Sequence, residues 1–259
     1  MSSPMLIGAH LSNKMPLEEA GAIGAEVIQC FLSNPQSWKK PLPRDDAKEL
    51  AASPIPIYVH APYLVNVVAK VPRIRIPSRR ILAETCEAAS EIGAAGVVVH
   101  GGHVTGGGDL GEAAERWRKA LVQLDTDVPV LIENTASGDF AAARRLEDIR
   151  RLWEEIGDLE VGFVLDTCHA WAGGEPLEGL VERILAVTGR IDLVHANNSR
   201  DRFDSRRDRH ANLKDGEIPP ELLAEVVRDA AAPAVVETPS EGQEADIVWL
   251  RDQVLHPNR

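Results

Sequence analysis

Six short apolar runs in this chain each finish on an imidazole or a carboxylate: His60, His100, Glu133, Asp166, His195 and Glu237. His169 follows Asp166 by three residues, and Asp208-Arg209-His210 adds two more groups of the same kind. Buried alone, such side chains would lose solvation, and clustered carboxylates would repel; a divalent cation resolves both problems. Mixed imidazole and carboxylate donors suit Zn2+, Mn2+ or Fe2+, whereas an all-oxygen set would suit Mg2+ or Ca2+. The nine donors (five His, two Asp, two Glu) exceed the needs of one ion and fit two or three ions that share carboxylates. Closely spaced ions are the usual device for phosphoester hydrolysis, since they acidify a water and clamp the attacking and leaving oxygens.

Each of these residues has a duller role when taken singly. A strand-end histidine is often a hydrogen-bonded rim residue, and a strand-end acid a loop cap. Six strand ends of one kind argue for a shared purpose. His10 ends the first apolar run and is expected to support the ligands rather than join them. His103 and His256 are read as ordinary residues. Cys168 is read as packing, because its neighbours Asp166 and His169 already supply donors.

The elements that must position these groups are strands alternating with amphipathic stretches. Strands are expected at Met5–His10, Glu26–Phe31, Ile55–His60, Ala95–His100, Val128–Glu133, Glu160–Asp166, Ile191–His195 and Ala234–Glu237. Helices are expected at Ser78–Gly93, Leu110–Leu124, Phe140–Gly157, Leu177–Gly189, Pro219–Ala231 and Gln243–Val254, with another headed by Pro16. Pro77-Ser78 reads as a helix start, and Gly93, Gly157 and Gly189 as stops. Continuous hydrophobic strands between helices indicate a parallel sheet covered on both faces. Eight units of roughly 32 residues each predict an α/β chain forming one (β/α)8 TIM barrel over residues 1–259. Its site would lie at the C-terminal face of the strands, and the tail 256–259 is expected to be poorly ordered. No Gly-x-Gly-x-x-Gly follows the first strand, and the Gly101–Gly108 cluster lacks the Lys-Ser/Thr of a phosphate loop.

With 44% hydrophobic residues in 259, the chain can bury a substantial core, which excludes disorder. No apolar run approaches the roughly 20 residues of a membrane span. The start, MSSPMLIGAH, lacks the charged and apolar regions of a signal peptide. Three widely spaced cysteines, Cys30, Cys86 and Cys168, argue against a disulfide framework and fit a reducing cytoplasm. The net charge of −12 argues against a polyanionic partner in general. Locally the balance reverses: segment 70–80 holds five basic residues and no acid, and segment 200–214 holds six basic against three acidic. A phosphate-binding rim is therefore compatible with the total, as is an ordinary solvated face.

The blocks that carry these residues resemble the endonuclease IV family, the zinc-dependent apurinic/apyrimidinic endonucleases of base-excision repair. The resemblance runs through IGAHLS, FLSNPQSW, VHAPYLVN, VVHGGH, LIENTA, LDTCHAWAGG, VHANNS, RDRHANL and VVETP, in order along essentially the whole chain. It implies three zinc ions. His60 and His100 would hold one with Glu133, which bridges to a second held by Asp166, His195 and Glu237; His169, Asp208 and His210 would hold the third. The implied reaction is hydrolysis of the phosphodiester 5′ to an abasic site in duplex DNA, leaving a 3′-hydroxyl and a 5′-deoxyribose phosphate. It also implies removal of 3′-blocking groups, with Glu133 as the catalytic centrepiece. Tyr63 and Leu64 match positions that wedge into the minor groove, and Arg209 and Gln36 match DNA contacts. The implied partner is duplex DNA with no membrane, and the expected state is a cytoplasmic monomer, with Mn2+ or Fe2+ as alternatives at some positions.

Three departures from the family pattern stand out. Gln36 replaces an Arg common among relatives, Asn198 replaces the Asp of an H-x-N-D-S block, and VVHGG replaces H-P-G. The competing reading is a sugar isomerase or epimerase of the xylose-isomerase-like barrels, which would use Glu133, Asp166, His195 and Glu237 around one metal. It has no use for the other five donors. A non-catalytic metal- or nucleic-acid-binding module is a third class, and fold alone cannot separate the three.

Overall fold

The computed structural model describes residues 5–256 apart from Thr105 and Asp139. Residues 257–259 of the tail expected to be poorly ordered lie outside the described residues. Eight strands form where the apolar runs predict them, each slightly shorter: β1 (Ile7–His10), β2 (Ile28–Cys30), β3 (Ile57–His60), β4 (Gly96–His100), β5 (Val130–Glu133), β6 (Val161–Asp166), β7 (Leu193–His195) and, after a small hairpin of β8 (Asn198–Ser199) and β9 (His210–Ala211), β10 (Ala234–Val236). The eight pair in parallel in the order β1-β10-β7-β6-β5-β4-β3-β2 and close into a barrel. The α/β barrel is thus observed.

Side chains alternate along a strand, so the barrel interior reads every second residue. Val27, Tyr58, Val98, Leu131, Val164, Leu193 and Val235 form an apolar plug of their own. Two residues further along the same strands come Gln29, His60, His100, Glu133, Asp166, His195 and Glu237. The intervening Val59, Val99, Ile132, Leu165, Val194 and Val236 instead join the large apolar belt between strands and helices. Burying one Val or Leu stabilises by about 1.5–3 kcal/mol. An unpaired buried carboxylate costs more than that, so the plug can carry the polar layer only if counter-charge is supplied there. Gly8 is required by the same closeness: a Cβ on it would fall 1.7 Å from the carbonyl oxygen of Val27.

The helices are α1 (Pro16–Ile23), α2 (Ala47–Ala51), α3 (Pro72–Glu91), α4 (Leu110–Val122), α5 (Leu146–Ile156), α6 (Thr167–Gly173), α7 (Leu180–Thr188), α8 (Pro220–Ala230) and α9 (Gln243–Leu255). On α4, fully buried Trp117 donates its indole N–H to the Gly101 carbonyl at 2.7 Å and so pins the loop that follows His100. Among the described residues no helix is long and apolar enough to cross a membrane.

Two helix starts need correction. Helix α3 starts at Pro72, not Ser78. Pro72 takes the first turn, where its missing N–H matters least, and Pro77 removes only the N–H that would meet the carbonyl of exposed Arg73. The basic 70–80 run is therefore mostly helix, and Arg75 and Arg79 already donate to the carbonyls of Ala69 and Arg116. Helix α5 starts at Leu146, not Phe140, because residues 140–143 tie their backbone to other loops: Val104 N–H donates to the Phe140 carbonyl, Ala142 N–H to Gly102, and Thr135 N–H to Ala143. The short α6 and the β8–β9 hairpin are additions that the apolar pattern does not predict.

Candidate metal centre

The strand register brings the donors face to face. His100 pairs with Glu133 across β4–β5, and Asp166 pairs with His195 across β6–β7. Glu133 stands at the middle. Its Oε2 lies 3.1 Å from His60 Nε2 and 3.4 Å from His100 Nε2. Its Oε1 lies 3.1 Å from His195 Nδ1 and 3.1 Å from His169 Nδ1. Glu237 Oε2 is 3.3 Å from His195 Nδ1.

Asp166 has a second task. Its carboxylate caps α6 by accepting the His169 N–H at 2.6 Å, which turns the chain so that His169 faces back into the barrel. The β8–β9 hairpin brings in the last two donors, with Asp208 Oδ2 3.1 Å from His169 Nε2 and Asp208 Oδ1 3.1 Å from His210 Nε2.

The donor atoms fall into groups within 4.8 Å: His60-His100-Glu133, Glu133-Asp166-His195-Glu237, and His169-Asp208-His210. A further group, Asp166-Cys168-His210, brings in the thiol read as packing. Burial pushes that thiol up to about 12, so it remains protonated and is a poorer donor than its neighbours.

The ring nitrogens test whether a cation fits. Among the described residues His169 Nε2 and His210 Nε2 are buried and lack a well-directed hydrogen bond, although each stands 3.1 Å from Asp208. Nitrogens that converge on a carboxylate without pointing at it are arranged around a common point, as ligands are. The opposite nitrogens are fixed by acceptors. His60, His169 and His210 donate through Nδ1 to the carbonyls of Ala61 (2.7 Å), Asn134 (2.9 Å) and Glu237 (3.2 Å). His195 is reversed: its Nε2 donates to Gln29 Oε1 at 2.9 Å, which leaves Nδ1 for the cluster. Such partners set the tautomer of a ligating histidine.

Electrostatics agree. Burial opposes charge on His195 and His210, yet the surrounding carboxylates, Glu237 and Glu133 for the first and Asp208 and Asp166 for the second, push each up to about 9. Burial would raise Glu133 and Asp208, but the nearby imidazoles hold both well below the usual carboxylate range. Burial pushes His100 down to about 4, leaving it neutral. The pocket attracts positive charge, and the donor set fits divalent cations.

Several supporting residues escape a reading of the sequence alone. Asn197 donates to Asp166 Oδ2 at 2.7 Å and accepts the Glu237 N–H at 2.7 Å. Asn134 donates to the Asp166 carbonyl and accepts its N–H. Gln29 donates to Glu237 Oε1 at 2.6 Å, and His10 stands 3.2 Å from the same oxygen, the supporting place expected of it.

The fold alone leaves the chemistry open. A profile of the family described as xylose isomerase-like TIM barrel matches residues 17–253. A D-tagatose 3-epimerase-like protein superposes with a TM-score of 0.79 over 98% of each chain, at 18% identity. Endonuclease IV from Thermus thermophilus superposes with a TM-score of 0.83 at 30% identity, covering 97% of this chain and 99% of that one. Over 250 residues the chain is 60% identical to a protein of Mycobacterium ulcerans (strain Agy99) named probable endonuclease 4, covering 96% of this chain and 99% of that protein. The chain belongs to the endonuclease IV family.

This endonuclease IV-family protein is accordingly a nuclease of DNA repair. Tyr63, 53% exposed, stacks over His100 at 5.9 Å and 17° and meets Phe31 edge-on at 5.0 Å. Leu64 beside it is half-buried, and Gln36 is exposed on the loop after β2. Arg209 does not point into the cluster: its guanidinium forks onto Asp201, with Nε donating at 2.7 Å.

Asn198 is fully explained by its surroundings. It donates to the Leu213 and Ile218 carbonyls at 2.7 and 2.9 Å and accepts the Ser199 and Ile218 N–H groups at 2.7 and 2.9 Å. An amide supplies both kinds of partner, which closes the network around Asn198.

Proposed function

We propose that the chain cleaves duplex DNA at abasic sites, hydrolysing the phosphodiester on the 5′ side to leave a 3′-hydroxyl and a 5′-deoxyribose phosphate, and that it clears 3′-blocking groups by the same chemistry. The observation that carries this reading is the division of nine donors into three neighbouring groups, two of which share Glu133. Three zinc ions suit these groups, with Mn2+ or Fe2+ as alternatives at some positions. When bound, such cations supply Lewis-acid charge to phosphate oxygens and acidify a water.

The chain's own residues would do the rest. Glu133, with one oxygen toward His60 and His100 and the other toward His195 and His169, holds two groups at a fixed spacing. Asn197, Asn134 and Gln29 keep carboxylates and rings from turning away. Tyr63 and Leu64 would form the apolar wedge that replaces an extruded nucleotide, with Gln36 as a further DNA contact. Arg209 would meet a phosphate by exchanging it for Asp201. Basic side chains of α3 and of the 200–209 loop would add local attraction against the overall charge of −12.

A single-metal sugar isomerase would need only Glu133, Asp166, His195 and Glu237 and would leave His169, Asp208 and His210 without purpose. We read the protein as a monomer of a reducing cytoplasm, which its buried, free Cys30, Cys86 and Cys168 support. The test is cleavage of one duplex carrying a tetrahydrofuran abasic analogue, with and without chelator. Incision 5′ to the analogue that chelation abolishes is expected; an uncut duplex with a metal-loaded protein would overturn the reading.

A further inference from the structure

Beside the donor cluster opens a cavity of about 190 Å3, whose lining includes His100, His169 and Asp208 as well as His103, Thr135 and Ser137. The first three residues belong to the cluster. The side chains of the other three stand outside its hydrogen-bond network among the described residues. Among the described residues the buried hydroxyl of Thr135 has no hydrogen-bond partner, so the lining has unsatisfied polarity.

His103 is exposed, yet its backbone is held firmly. Buried Asn66 spends both ends of its amide on it: Nδ2 donates to the His103 carbonyl at 2.9 Å, and Oδ1 accepts the His103 N–H at 3.3 Å. Asn66 is itself anchored, donating its backbone N–H to Ser78 Oγ on α3 at 2.9 Å. Gly102 has φ +75°, and a Cβ there would lie 2.7 Å from Asn66 Oδ1, so glycine permits the turn from His100 back to His103. A bridge to Ala141 holds the other side. Fixing the backbone of a surface residue with a buried amide is understandable if the direction of its imidazole matters.

We propose that this cavity seats the phosphodiester adjacent to the scissile one, with the His103 imidazole and the Ser137 hydroxyl as its hydrogen-bond donors. The inference rests on the phosphodiesterase reading above and names the residues that set the register of the strand across the cluster. His103 then contacts substrate directly, and Asn66 is a positioning residue behind it.

The experiment uses the full metal-loaded chain under single-turnover conditions. The substrate is a tetrahydrofuran duplex, either unmodified or carrying one uncharged methylphosphonate at the linkage on one side or the other of the cleaved bond. A lost charged hydrogen bond corresponds to about a tenfold change. The wild type should lose about tenfold at one of the two positions. His103→Ala should lose about tenfold on the unmodified duplex and nothing further at that position, and His103→Gln should recover part of the loss. His103→Ala that cleaves like the wild type, or losses that multiply at both positions, would overturn the subsite while leaving the nuclease reading intact. A wild type that does not cut the unmodified duplex would instead sink that reading, and the subsite with it.

Discussion

Glu133 and His100 face each other across the β4–β5 ladder, paired in register, with His100 Nε2 3.4 Å from Glu133 Oε2. The pairing is a property of the backbone: two neighbouring strands end at the same height, and each ends on a donor. The same holds for Asp166 and His195. A barrel of parallel strands thus builds most of the cluster before any loop contributes, and α6 and the hairpin add the third group.

Because Glu133 touches four imidazoles, Glu133→Gln should leave the barrel folded while lowering abasic-site cleavage by roughly 1,000-fold. Circular dichroism and single-turnover cleavage measured together check this. Turnover near the wild-type rate would remove Glu133 from the mechanism.

Gln29 fixes the tautomer of His195 through Nε2 and holds Glu237 by its amide. Gln29→Leu should weaken metal binding by about 10–100-fold, read from competition with a chromophoric chelator. An unchanged affinity would reduce Gln29 to a packing residue.

Gln29 also shows what the sequence does and does not disclose. The strands are legible because their buried runs are continuous, and the nine donors because they sit at strand ends or beside them. Gln29 lies inside the run VIQCF and draws no notice there, although it stands two residues beyond Val27, the same step that separates Val98 from His100. Asn134 follows Glu133 directly and Asn197 stands two residues after His195, and their roles depend on partners distant in sequence that no local pattern reveals. Helix α6 is hidden because Asp166 ends a strand and caps a helix at once. The turn of Arg209 toward Asp201 is tertiary and leaves no mark in RDRH.

Asn198 supplies two donors to carbonyls at a fully buried place. Asn198→Asp would set a carboxylate against those carbonyls and should cost about 3 kcal/mol or more in urea unfolding. Wild-type stability would mean that the loop rearranges at little cost.

Removing metal should expose a pH dependence of stability. In the metal-free chain His195 and His210 titrate near 9 rather than at the ordinary 6.5. A raised value means that the native state binds the proton more tightly than the unfolded one. The resulting stabilisation is complete below pH 6.5 and is lost as pH rises through 9. The Tm of stripped protein should therefore fall across that window more steeply than the Tm of loaded protein. A flat or rising Tm in stripped protein would contradict the charge arrangement.

The central claim is that these side chains form a cluster for several ions, and metal content measured against activity tests it most directly. Protein purified without chelator, assayed for abasic-site cleavage and analysed for elements in the same sample, should hold close to three metal equivalents per chain and lose activity as they are removed. Full activity with one equivalent or none would contradict the account.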